Sequence, residues 1–259
     1  SVTINASAAL NAVTDFNADG ATTLTLTGAG AIDLTGSTDV DLAALTTVSG
    51  GTATGAISLL INDAANQTIT TGSGDDVVDM DATLTSADTI DLGAGDDTLR
   101  VDVDSLSAGT ADLSISNVET IRFDAIGTGA GAINMDNVSV TAIRFDDAAS
   151  QAAADQVITL TDLSATIAAA SFIGTGTLDG DVFFSDTTLD YDTTTDLANV
   201  TLTFNNAGVV GDDMRVGNIV IDNTDKITIV ATDIGQAAAD EFTIDDLEID
   251  ATTDVVISS

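Results

Sequence analysis

Residues 71–100, TGSGDDVVDMDATLTSADTIDLGAGDDTLR, contain the most informative pattern in this sequence. Two segments within them, residues 72–78 (GSGDDVV) and residues 93–99 (GAGDDTL), share one form: a glycine–x–glycine turn, a pair of aspartates and a short apolar strand. Glycine adopts the positive φ values that tight turns need, and its small size leaves neighbouring backbone carbonyls accessible. The pattern therefore predicts short strands joined by tight, repeated turns.

Asp76 and Asp97 occupy the same position in the two segments, two residues before an apolar residue. Asp88 lies nine residues before Asp97 and twelve after Asp76, and Ile90 follows it at the same spacing, although the glycines are missing. Calcium takes about six to eight oxygen ligands, which carbonyls and aspartates of neighbouring turns can supply. The candidate calcium-binding residues are Asp75, Asp76, Asp79, Asp88, Asp96 and Asp97, with Gly72, Gly74, Gly93 and Gly95 in the turns.

The alternative interpretation is that both segments are ordinary turns, because Gly and Asp are common turn residues. We favour calcium sites because two segments match and Asp88 repeats the aspartate in phase. Residues 15–20 (DFNADG) also match the first six positions of an EF-hand loop. Leu26 stands where that loop needs its closing Glu, so we interpret this segment as a turn rather than as another calcium site.

The charge of the chain is extreme, because 42 acidic residues face 5 basic ones and the net charge is −37. Only Glu119, Glu241 and Glu248 are glutamates, so nearly all the acids are Asp, a compact calcium ligand and a frequent turn residue. Adaptation to salty water is a compatible alternative. The charge argues against binding nucleic acid or anionic membrane surfaces. Because self-repulsion destabilises a compact state, we expect the fold to need divalent cations.

The side chains that most enzymes use are scarce, since the chain has no Cys and no His and a single Lys, Lys226. A catalytic site would have to rest on carboxylates, as in glycoside hydrolysis. Tyr191, the single tyrosine, lies between two aspartates and is interpreted as a surface strand residue rather than a sugar-stacking one. We therefore expect no enzymatic activity. No run of about 18 apolar residues is present, so we also expect no direct membrane insertion.

Alternation of Thr with apolar residues, as in residues 22–27 (TTLTLT), predicts half-buried strands. The tetrapeptide IRFD recurs at residues 121–124 and 143–146, a step of 22 residues, and QAAAD recurs 85 residues apart at 151–155 and 236–240. Recurrence of one strand after 22 residues is typical of a solenoid.

We expect an all-β, β-solenoid or β-roll-like fold with few or no helices. A soft boundary separates residues 1–100 from 101–259, which together are compatible with one continuous domain.

The two glycine–aspartate segments, with residues 117–121 (NVETI) after them, resemble RTX-type calcium-binding proteins. Within that group the Thr-, Ala- and Asp-rich chain is most similar to bacterial surface-layer (S-layer) proteins exported by type I secretion. The resemblance implies calcium bound within and between subunits. It matches Asp76 and Asp97 to the ligand aspartates of the family, whereas Asp88 lacks its glycines.

We therefore expect a secreted, extracellular structural protein that assembles with itself into a calcium-stabilised layer on the bacterial cell, with a cell-surface polysaccharide as its further partner. Ser1 is not an initiator Met, which predicts a processed product or a fragment. The first alternative is a calcium-stiffened adhesin or biofilm-matrix module. The second is a polysaccharide-active β-helix enzyme.

Overall fold

Parallel β-strands make up the regular structure in the part of the chain that the computed structural model describes. Helices are absent from these residues, and most strands are short, which confirms the all-β, solenoid-like class. The same residues contain no helix of the length and hydropathy needed to cross a membrane. The described residues are 1–9, 16–17, 20–35, 40–41, 44–62, 65–81, 83–102, 113–124, 130–147, 157–174, 182–184, 186–192, 198–205, 214–232 and 242–258.

The strands follow one another along the chain with the following bounds: β1 (Val2–Asn5), β2 (Phe16–Asn17), β3 (Thr23–Gly28), β4 (Ile32–Asp33), β5 (Val40–Asp41), β6 (Thr47–Ala53), β7 (Ile57–Leu60), β8 (Thr68–Thr70), β9 (Val77–Asp79), β10 (Thr89–Asp91), β11 (Thr98–Asp102), β12 (Ser114–Ser116), β13 (Thr120–Asp124), β14 (Ala130–Asn134), β15 (Ala142–Asp147), β16 (Val157–Leu163), β17 (Ala169–Gly174), β18 (Val182–Phe184), β19 (Asp186–Tyr191), β20 (Ala198–Asn205), β21 (Met214–Thr232) and β22 (Phe242–Ser258).

The described residues form two compact units. The first unit comprises the described parts of Ser1–Val101, Asp112–Ile121 and Asn137–Val140. The second comprises Asp102 and the described parts of Arg122–Asp136 and Thr141–Ser259.

In the first unit the chain alternates between two parallel sheets. One sheet has the order β1-β3-β6-β8-β10-β12, and the other contains β4-β7-β9-β11. From β6 to β12 consecutive strands belong to opposite sheets, so each coil, defined as one passage through both sheets, adds one strand to each. Leu59, Val78 and Leu99 are in register and fully buried. Because side chains alternate along a strand, one apolar residue in each short strand is sufficient to build this core.

In the second unit two series of parallel strands meet at the long strand β21. The order is β14-β16-β19-β21-β20-β17-β15. The middle of β21 pairs with β19, its C-terminal part pairs with β20, and β22 runs parallel to β21 along its length. Asn223 separates the two parts of β21 with a φ of 61°, a left-handed conformation that Asn tolerates better than most residues.

A column of phenylalanines fills the second unit. Phe123, Phe145, Phe172 and Phe204 stack with centroid separations of 5.5, 4.9 and 5.1 Å between successive rings. Phe145 pairs with Phe172 and Phe172 with Phe204 in the strand register. The two IRFD repeats therefore form strands β13 and β15, and they contribute the first two rings of the column.

Tyr191 corrects one expectation, because it is buried rather than on the surface. Strand β19 alternates strictly, and Tyr191 has the inward phase of Leu189, while Asp190 points outward. The Tyr191 hydroxyl donates a hydrogen bond to the Ile167 carbonyl oxygen at 2.9 Å, which satisfies the buried phenol. Burial raises the pKa of Tyr191. A sugar ring has no access to this side chain.

Two other patterns lie wholly or largely outside the described residues. Neither QAAAD repeat, at residues 151–155 and 236–240, is described. Of the EF-hand-like segment, the structure describes Phe16–Asn17, which pairs as β2 with β5, and Gly20.

Candidate cation site at the glycine turns

The two glycine turns of the sequence pattern are the last two of five turns that stack along one edge of the first unit. This edge, the glycine-turn edge, is held by hydrogen bonds between backbone groups of successive turns. The donor–acceptor pairs are Gly30 N to Ala6 O (2.8 Å), Thr54 N to Gly28 O (2.9 Å), Ser73 N to Ala53 O (3.1 Å) and Ala94 N to Gly72 O (3.0 Å). The turns are residues 6–8, 28–30, 53–55, 72–74 and 93–95. Sequence reasoning singled out the last two because their aspartate pairs are distinctive.

Two positions of the turn at residues 93–95 have room only for glycine. Gly93 has a φ of 89°, and a Cβ atom there would lie 2.1 Å from the Gly72 carbonyl oxygen. Gly95 has a φ of 152°, and its Cβ atom would lie 2.4 Å from the Gly74 carbonyl oxygen and 3.0 Å from Asp97 Oδ1. The missing side chains therefore allow the backbone to approach both the preceding turn and the Asp97 carboxylate.

Asp76 and Asp97 lie in a column that points into the interior. Ile32 pairs with Ile57, and the register of the following residues places Ile57, Asp76 and Asp97 at equivalent positions of successive coils. Asp76 is 0% exposed and Asp97 is 1% exposed. Carboxylates thus replace isoleucines in the later coils, and burying a charge in this way is costly without compensation.

One oxygen of each carboxylate is used to connect successive coils. Asp76 Oδ1 accepts from Ile57 N at 2.7 Å, and Asp97 Oδ1 accepts from Asp76 N at 2.7 Å. Glu119 Oε2 then accepts from Asp97 N at 2.8 Å. Each acid therefore satisfies the backbone N–H at the same position of the coil before it, which is a structural role that a short sequence motif does not reveal.

Asp88 also accepts a hydrogen bond from the backbone N–H at the equivalent position of the preceding coil. It lies in a different part of the coil, at the start of a strand in the other sheet. Its Oδ1 accepts from Gln67 N at 2.6 Å. Its Oδ2 accepts from Thr85 N at 2.7 Å and lies 3.1 Å from the Thr85 hydroxyl. The structure therefore brings Asp76 and Asp97 together but does not bring Asp88 to them.

The second oxygens of Asp76 and Asp97 differ. Asp76 Oδ2 accepts from Gly72 N at 3.2 Å. Within the described residues no donor reaches Asp97 Oδ2, although this atom is buried. The register shows the cause, because Gly93 is equivalent to Gly72 but its N–H donates instead to Asp91 Oδ1 at 3.2 Å.

Burial and neighbouring charge raise the pKa of both buried aspartates. Burial is the main cause for Asp97, the charges of Asp76, Glu119 and Asp75 add to it, and the pKa rises to about 6 despite the hydrogen bond from Asp76 N. Burial also raises the pKa of Asp76, although the nearby Thr71 hydroxyl and the hydrogen bonds from Ile57 N and Gly72 N lower it. A cation placed here would reverse the electrostatic part of this effect.

The remaining predicted ligands are the more exposed ones. Asp75 and Asp96 lie on the exposed side of the turns, and Asp75 Oδ1 accepts from Asp96 N at 3.0 Å. Asp79 forms an ion pair with Arg100 at 3.0 Å and accepts from Asp81 N at 2.9 Å. The Arg100 ion pair makes Asp79 a poor cation ligand.

A hard cation fits these residues at Asp97 better than elsewhere. In the described part of the chain, no three acidic side chains converge as a ready-made metal cluster. Within the described residues, Asp97 nevertheless offers a buried oxygen without a hydrogen-bond partner. It lies beside the turn in which Gly93 and Gly95 leave no room for a Cβ atom. Carboxylate and carbonyl oxygens are the ligands that calcium prefers. Sequence reasoning missed Glu119 as a member of this site, because it lies outside the glycine pattern.

Comparison with known proteins adds no assignment, because no protein-family model, curated protein or solved structure matches this chain.

Proposed function

We propose that this chain is a secreted, extracellular structural protein that assembles with itself into a calcium-stabilised surface layer on the bacterial cell. The observation that carries the calcium part is the buried Asp97 carboxylate, whose Oδ2 has no hydrogen-bond partner within the described residues. Its neighbours Asp76 and Glu119 add negative charge. A divalent cation at this edge offsets the burial of these charges, so the fold is more stable in calcium.

The assembly part of the proposal is supported by the net charge of −37 and by the form of the fold. Copies with so many carboxylates repel each other unless cations screen or bridge them. Asp75 and Asp96 lie exposed on the glycine-turn edge, where calcium can bridge one copy to the next. The resemblance of the glycine–aspartate segments to RTX-type surface-layer proteins agrees with this arrangement. In this proposal the chain performs no catalysis, and a cell-surface polysaccharide is its anchor.

Electron microscopy and light scattering with and without calcium test the proposal. We expect sheets or filaments in millimolar calcium and dispersed particles in chelator, with reversal when chelator is added to the assemblies. Magnesium at the same concentration is the control for simple charge screening. Particles that stay dispersed in both conditions contradict the surface layer. If calcium only raises the melting temperature, and a glycan array returns a specific ligand, the chain is an adhesin module instead.

A further inference from the structure

We propose that the glycine-turn edge holds one divalent cation, bound by Asp97 Oδ2 together with the Glu119 carboxylate of the next coil, and that Asp76 and Asp88 are hydrogen-bond acceptors rather than metal ligands. This inference rests on the calcium-binding part of the proposed function. It differs from the expectation of the sequence pattern, in which every in-phase aspartate is a ligand.

First, Asp76 and Asp88 have hydrogen-bond donors at both carboxylate oxygens. Both oxygens of each carboxylate already accept from backbone N–H groups, which come from Ile57 and Gly72 for Asp76 and from Gln67 and Thr85 for Asp88. These donors point the positive end of the N–H dipole at the oxygen. A cation placed there would face the same positive ends, so these two carboxylates are compensated without an ion.

The second step is the difference between two adjacent coils. Gly72 and Gly93 occupy equivalent positions of the two coils, but Gly72 N donates to Asp76 Oδ2, whereas Gly93 N donates to Asp91 Oδ1. Asp97 Oδ2 is consequently buried without a donor. An unmatched buried oxygen of a carboxylate is costly, and the cost is removed when a cation binds it.

The third step identifies the second acidic ligand. Glu119 lies in the coil that follows Asp97. Asp97 N donates to Glu119 Oε2 at 2.8 Å, and this bond holds the Glu119 side chain against the backbone of Asp97. One divalent ion neutralises this pair of carboxylates, and backbone carbonyls and water supply its other oxygens. Calcium is the preferred ion because all available ligands are hard oxygens and the turn is irregular.

Calorimetric titration of the chelator-treated full chain with calcium tests the assignment. We expect Asp97→Asn to bind one calcium ion fewer than the natural sequence. Asp76→Asn and Asp88→Asn should keep the full number, with circular dichroism confirming that each variant is folded. Glu119→Gln should bind at least about tenfold more weakly at this one site, because the affinity follows the charge of the ligands.

The results separate this inference from the proposed function. If the natural sequence binds calcium and assembles, but Asp97→Asn keeps the full number of ions or Asp76→Asn also loses one, the single-ion site is wrong and the surface layer stands. If the natural sequence binds no calcium at all, both fail. If it binds calcium as inferred but does not assemble, only the surface layer fails.

Discussion

Asp97 Oδ1 accepts a hydrogen bond from the backbone N–H of Asp76 at 2.7 Å, so one buried acid holds the backbone of the other. The bond fixes the register of two neighbouring coils, but it also brings two carboxylates close together in the interior. The structural benefit and the electrostatic cost therefore have the same origin. Removing the cost requires a proton or a cation, and the effects of pH and of calcium on stability separate these two.

The stability of the calcium-free protein should fall as the pH rises through about 6, the value to which the pKa of Asp97 is raised from 3.8. Between these two values the folded state holds a proton that the unfolded state has released, so a rise in pH favours unfolding. Urea denaturation in chelator, from about pH 4 to pH 8, measures this contribution as the difference between the natural sequence and Asp97→Asn. A difference that does not change with pH contradicts the burial of this carboxylate.

Asp97→Asn should stabilise the calcium-free protein while abolishing part of its response to calcium. The substitution keeps the oxygen that accepts from Asp76 N and removes the buried charge. We expect a gain of about 1 kcal/mol in chelator, or a melting temperature roughly 2–4 °C higher. Asp96→Asn is the matched control, because it also removes one negative charge but from an exposed position. An equal gain in the control would show that net charge alone is responsible.

The fold class follows from the sequence because its signals are local. Alternating Thr and apolar residues, the Gly–x–Gly turns and the IRFD repeat each report on a few neighbouring positions, and all of them agree on short stacked strands. The path of β21 was harder to predict from the sequence. Its corner at Asn223 depends on one residue in the left-handed conformation, which the polar residues around it, Asp222, Thr224 and Asp225, do not by themselves specify.

The candidate site could be predicted only in part from the sequence, because its hydrogen bonds depend on the register between coils. Asp76 and Asp97 were found from their glycines, but their hydrogen bonds to the preceding coil require knowledge of which residues are paired. The different partners of Gly72 N and Gly93 N can be compared only once the coils are aligned. Glu119 was missed for the same reason: it continues the column of acids without the turn motif.

Gly93→Ala should destabilise the protein strongly, because it combines a φ of 89° with a Cβ position 2.1 Å from the Gly72 carbonyl oxygen. We expect a loss of at least about 2 kcal/mol in the free energy of unfolding. Gly20→Ala is the control, since no atom of the described residues beyond its chain neighbours lies within 4 Å of its added Cβ atom, and we expect a change within about 0.5 kcal/mol. Similar losses in both variants, measured by urea denaturation in calcium, contradict the tight stacking of these turns.

Phe172→Ala should destabilise the second unit by about 3–5 kcal/mol, because it removes the ring from the middle of the aromatic column and leaves a cavity. The Phe172 ring lies 4.9 Å from Phe145, 5.1 Å from Phe204 and 5.4 Å edge-on from Phe184, measured between centroids. Ser171→Ala, one residue earlier on the outward phase of β17, is the control, and we expect a change below about 1 kcal/mol. Because Phe172 belongs to the second unit and the glycine-turn edge to the first, the loss for Phe172→Ala should be the same in calcium and in chelator. A loss that appears in only one of these conditions would show that ion binding and this core are coupled.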